Sequence, residues 1–122
     1  MKGNTRLLRQ VNPNWIQDGR ITSQAFSPTP KDEMKLSCYD GDLIEPPEAH
    51  EHFVDTLGLR SVGVLAVTVD ECTALGLPAL PDPAPFKEHA IIDFEGNGKG
   101  DIRRKSKELR SLAEARDWLY KP

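Results

Sequence analysis

The chain has 122 residues, of which 38% are hydrophobic and 29% charged, with a formal net charge of −3. That length suits one domain over residues 1–122 with its own core; the composition excludes wholesale disorder, and the weak negative charge excludes a global pull toward nucleic acid or an anionic membrane. Cys38 and Cys72 stand far apart without CxxC spacing, which argues against a disulfide framework or structural zinc, and no apolar run nears the roughly 18 residues that a membrane span requires.

Arg6–Val11 reads as a first strand stopped by Pro13. About two dozen polar, turn-rich residues follow, and a loop of that length is usually functional or disordered. Within it, Asp18-Gly19 favours left-handed turn geometry, Ile21–Phe26 reads as a short strand, and Pro28 and Pro30 block any central-strand continuation. Leu36–Tyr39 is a brief extended run ending at Asp40-Gly41. Pro46, Pro47 and Glu48 open a helix from Pro47 to about Leu57, with Ala49, Phe53, Val54 and Leu57 on one face and Gly58 as its stop.

Ser61–Val69 is β-branched, nearly uncharged and continuous, the pattern of a strand covered on both faces. Thr68 or Asp70 caps a short helix ending at Gly76, and the proline-rich LPALPDPAPF should lie stiff and polyproline-like across the surface. His89–Phe94 is a further strand. Asp101 then caps a helix from Ile102 to about Tyr120 with Ile102, Leu109, Leu112, Ala113 and Leu119 in one stripe. The whole predicts an α+β domain: a small mixed sheet, a long turn-rich N-terminal segment and a packed C-terminal helix.

No complete catalytic motif is present. Arg9 faces the side opposite Leu8, where a guanidinium can clamp a phosphate or carboxylate or pair with Asp18 or Asp40. His89 opens an apolar strand after the proline-rich crossing, a place for an acid, a base or a structural tie. Thr22, Ser23 and Ser37 are hydroxyls beside Phe26 and Leu36, suited to turn capping and lacking a GxSxG elbow. His50 and His52 sit two apart on a helix, about 200° around the axis, so they cannot share one ion. EGNGKGD lacks the GK[ST] ending of a phosphate loop. Residues 101–122 carry seven Lys/Arg against four Asp/Glu, and Arg103, Lys107 and Arg110 share a helix face there. No aromatic platform interleaves with them, and Glu108 and Glu114 stand at helical spacing from Arg104 and Arg110, so a solvated face is the default.

The segments LLRQVNPNWIQDGRITSQAF, LSCYDGD, GVLAVTVDEC and PDPAPFKEHAIIDF resemble a family of small uncharacterised bacterial proteins. The shared pattern runs through Arg9, Val11 and Pro13; Gly19, Arg20, Ser23, Ala25, Phe26 and Pro28; Leu36 and Ser37; and Pro85, His89 and Ala90. The resemblance implies a stand-alone domain and no particular chemistry. More loosely, Arg9, Thr22-Ser23 and Asp93 resemble the residue order of small ADP-ribosyltransferase folds, with Asp93 on the later strand where those carry Glu.

The expectation is a small, soluble, cytoplasmic, non-catalytic protein that binds another protein, acting in a bacterial toxin–antitoxin, immunity or defence system. Trp15, Phe26 and Phe86 are its candidate anchors. No cofactor, metal or membrane is expected. Two alternatives are an enzyme with Arg9, Ser23, Ser37 and His89 around one pocket, and a nucleic-acid accessory using Arg103, Lys107 and Arg110.

Overall fold

A computed structural model describes residues 1–122. Five strands form an antiparallel sheet in the order β5-β1-β4-β7-β6: β1 (Arg6–Gln10), β4 (Lys35–Asp40), β5 (Val64–Thr68), β6 (Ala79–Pro81) and β7 (His89–Asp93). The domain is α+β, and its sheet is antiparallel throughout rather than mixed. β4 and β5 both run against β1, so the chain between them crosses over one sheet face. That crossing contains α1 (Pro46–Glu51) followed directly by a widened helical turn at His52–Thr56, so the expected helical run is present but its second half is less regular.

The long N-terminal excursion is ordered by its own turn and by an apolar plug. β2 (Ile16–Gln17) and β3 (Arg20–Ile21) form a two-residue hairpin. Its central residues, Asp18 and Gly19, have φ of 51° and 77°, the doubly left-handed turn that matches strand twist. The expected strand over Ile21–Phe26 stops at Ile21, because Ser23–Phe26 coil into a 3₁₀ turn. That turn drives Ala25 and Phe26, both fully buried, into the core.

Strand alternation divides the apolar residues between two faces. Leu7, Val11, Leu36, Cys38, Leu65, Val67, Ala90 and Ile92 point to the larger core, closed by Phe26, Phe94, Leu77 and α3 (Lys99–Arg116) through Leu109 and Ala113. Leu8, Tyr39, Val64 and Ala66 point to the other face, where Ala49 and the half-buried Phe53 and Phe86 cover only part of the sheet. Burying both faces explains the continuous apolar run of β5, although β5 lies at an edge. Leu119 and Tyr120 hydrogen-bond to Val64 and cover that edge.

Two further expectations are corrected and one holds. α3 begins after Gly98 and ends at Arg116, so Leu119 and Tyr120 belong to the returning tail rather than to the helix. The proline-rich stretch contributes β6, paired to β7 from Ala79↔Ile92 to Pro81↔Ala90. Pro81 is tolerated because β6 is an edge strand. Thr68 does cap α2 (Val69–Ala74), through a reciprocal box with Glu71.

Candidate functional site

β1 pairs with β5 over five residues but with β4 only at Leu7↔Asp40 and Leu8↔Tyr39. Beyond that point β1 and β4 part, and the Arg9 guanidinium spans the opening. Its Nε donates to the Ala25 carbonyl at 2.7 Å and Nη1 to the Ser37 carbonyl at 2.8 Å. The Trp15 ring lies 4.9 Å from the guanidinium carbon. Burial lowers the Arg9 pKa, while Cys38 and Asp32 push it the other way. Arg9 therefore joins the N-terminal excursion to the sheet. Its charge goes to backbone carbonyls, and it makes no ion pair with Asp18 or Asp40.

On the opposite face, above the parting strands, lies a half-open cavity of about 340 Å³. Leu8, Gln10, Ser37, Tyr39 and His89 form its floor; Phe53, Leu57, Leu59, Pro85 and Phe86 form its walls. The walls come from the β4–β5 crossing and the proline-rich segment, because both pass over this face. Leu57 and Leu59 remain 41% and 48% exposed and extend the apolar surface to solvent.

Few polar groups reach this cavity, and each but one is matched. The Tyr39 hydroxyl lies 2.7 Å from His52 Nδ1. Burial, helped by the nearby Glu88 charge, raises the Tyr39 pKa, so the phenol stays protonated beside that nitrogen. His89 Nδ1 is 2.9 Å from the Asp82 carbonyl and 3.3 Å from its carboxylate, while Nε2 is 3.2 Å from Ser37 Oγ. Phe86 packs against His89, Tyr39 and His52 with ring centroids 4.6–5.2 Å apart. Gln10 is only 4% exposed; its Oε1 accepts from Ser61 Oγ at 2.8 Å, and its Nε2 has no partner. A buried amide donor without an acceptor costs about 1–3 kcal/mol.

The structure thus brings Ser37 and His89 together, and Arg9 contributes to the same floor while its guanidinium lies on the other face. Ser23 lies elsewhere; its carbonyl accepts from Ser27 Oγ at 2.8 Å in the 3₁₀ turn. Arg9, Thr22-Ser23 and Asp93 do not converge either. Asp93 pairs with Lys35 on the Ser37 face, opposite the Arg9 side chain, and Thr22 Oγ1 donates to the Trp15 carbonyl. Of the three aromatic candidates, Phe26 is a core residue, Trp15 is half-buried on Arg9, and Phe86 alone lines the cavity.

His50 and His52 diverge, toward the Ser61 carbonyl and Tyr39 respectively. Arg103 and Lys107 are exposed on α3, whereas Arg110 is half-buried and 3.4 Å from Glu114. Arg104 pairs with Asp101 at 3.6 Å instead of with Glu108.

Sequence reasoning missed Gln10, Tyr39 and Asp82. Tyr39 stands two residues after Ser37, so strand alternation alone places both on one face. Gln10 and Asp82 carry no such signal, since each acquires its place from a partner distant in sequence. Comparison with protein-family models, curated proteins and solved structures returns no match.

Proposed function

We propose that this chain is a binding domain whose cavity over β1, β4 and β7 takes a small, mostly apolar molecule bearing a carbonyl or other acceptor. The apolar walls over a floor that holds Gln10, Ser37 and His89 carry this reading. A ligand oxygen over that floor would meet its polar groups, while Leu8, Phe53 and Phe86 would cover the apolar body. The volume falls within the usual range for such sites, about 300–1,000 Å³.

Titration of isotope-labelled protein with hexanamide tests this reading. Shifts confined to Gln10, Phe53, Phe86 and His89 are expected, with about tenfold weaker binding in Gln10→Leu, in keeping with the loss of one buried hydrogen bond. Absence of shifts at millimolar ligand, or shifts on another face, refutes it.

A second reading, favoured by the exposed Leu57 and Leu59 at the rim, is that the occupant is an apolar side chain of a partner protein. In that reading Phe86 is the anchor, and Trp15 lies on the other face. No residue here distinguishes a toxin–antitoxin, immunity or defence setting from any other. The nucleic-acid alternative rests on Arg103 and Lys107, with Arg110 already engaged by Glu114.

A further inference from the structure

The Asp82 backbone carbonyl can only accept, so the His89 nitrogen 2.9 Å from it must carry the proton. In the neutral ring Nε2 therefore presents a lone pair, and the hydroxyl 3.2 Å away is the donor. Ser37 Oγ–H points its proton at an imidazole whose far side is fixed by Asp82. That is the nucleophile–base contact of acyl transfer, at the outer end of the usual 2.6–3.2 Å reach, with the base oriented by the Asp82 backbone carbonyl and the Asp82 carboxylate 3.3 Å away. The second nitrogen is held against an exposed serine in the floor of the cavity.

The surroundings fit a substrate with two unlike ends. Ser37 and His89 line the apolar cavity on one side and a shallow groove on the other, bounded by Lys31, Asp32, Lys35, Asp82 and Ile91.

We infer that Ser37, His89 and Asp82 form an esterase relay, accepting a short apolar acyl chain in the cavity and a polar alcohol over the groove. Ser37 Oγ attacks the ester carbonyl as its proton passes to His89 Nε2. The bond to the alcohol oxygen breaks, and the imidazolium returns the proton to the departing alkoxide. Water, deprotonated by His89, then attacks the acyl-serine. The carbon–Oγ bond breaks, releasing a carboxylic acid and restoring the Ser37 hydroxyl. Ser37 and His89 are the catalytic residues, and Asp82 is a positioning residue acting through His89.

The inference rests on the cavity reading, and one pair of measurements separates their failures. The full chain is incubated with p-nitrophenyl butyrate, with nitrophenolate release followed by absorbance and the adduct located by peptide mass spectrometry. A single butyryl group on Ser37 is expected. Ser37→Ala, an exposed position where the fold should be kept, should lose the adduct and about 10²–10⁴-fold of the release rate. Asp82→Asn, which keeps the backbone carbonyl, should slow acylation and alter its pH profile without weakening hexanamide binding. Hexanamide binding with neither nitrophenolate release nor adduct, or with the adduct on a lysine, overturns the relay and leaves the cavity standing. No hexanamide binding overturns both.

Discussion

Glu71 joins three parts of the fold, and its removal should be costly. Its Oε1 accepts the Thr68 amide at 2.8 Å, closing the capping box of α2, and its two oxygens receive Arg116 Nη1 and Nη2 at 3.0 Å each. Arg116 also donates to the Ala66 carbonyl, so the pair fastens the end of α3 to the β5 edge. The Glu71 and Arg116 side chains are 22% and 28% exposed, which leaves part of the charge pair screened by water. We take about 1 kcal/mol for the capping bond and about 1 kcal/mol for the screened bidentate pair. Glu71→Ala should therefore lose about 2 kcal/mol, near 8 °C in Tm for a domain of this size.

The same contact makes stability depend on pH. Partial burial is the largest single influence on the Glu71 carboxyl and raises its pKa, but Arg116 and the Thr68 cap together outweigh it, and the net shift is downward from 4.5. A carboxyl held low in the folded state contributes stability above its unfolded pKa and loses it as pH falls through the folded value. Denaturant melts of wild type and Glu71→Gln at pH 7 and below pH 4 measure this directly. The gap between them should narrow on acidification. A Glu71→Ala loss under about 0.5 kcal/mol, or a Glu71→Gln gap that persists in acid, refutes the argument.

Gly63→Ala should destabilise by about 1–3 kcal/mol in a denaturant melt, because an added Cβ would stand 2.7 Å from the Tyr120 carbonyl oxygen and 2.8 Å from the Trp118 ring; an unchanged melt contradicts it. Burial pushes the Cys38 thiol up to about 11 and the Cys72 thiol up to about 12, so iodoacetamide at pH 8 should label neither until denaturant is added. Since the unfolded thiols ionise first, near pH 9, stability should also fall as pH rises from about 9 toward 11; rapid native labelling contradicts the assignment. Phe86→Ala, which strips the ring from Tyr39, His52 and His89, should cost about 1–2 kcal/mol at this half-buried position and weaken hexanamide binding; intact binding removes Phe86 from the site.

Local physics made several elements legible from the sequence. Asp18-Gly19 specified its turn, since few other residue pairs accept two left-handed positions in succession. A cap at Thr68 or Asp70 marked a helix start, and the structure chose Thr68, while the β-branched runs of β5 and β7 marked strands. Where a short segment had two local options, tertiary contacts chose. Ile21–Phe26 coils because Ala25 and Phe26 fill a hole in the core, and Ala79–Pro81 extends because β7 offers it an open edge.

The site was less legible than the fold. Ser37 and His89 stood out by residue type and position, but their 3.2 Å approach depends on the pairing of β4 with β7. Asp82 and Gln10 acquire meaning only from neighbours that folding supplies, the His89 ring for one and the cavity for the other. Arg9 stood out equally, yet the parting of β1 from β4 sends its charge to backbone carbonyls on the far face. The sequence by itself determined turns, caps and apolar strands, which depend on residues within a few positions of one another. Only the tertiary structure decided which polar groups meet, because that depends on register and strand order between segments dozens of residues apart.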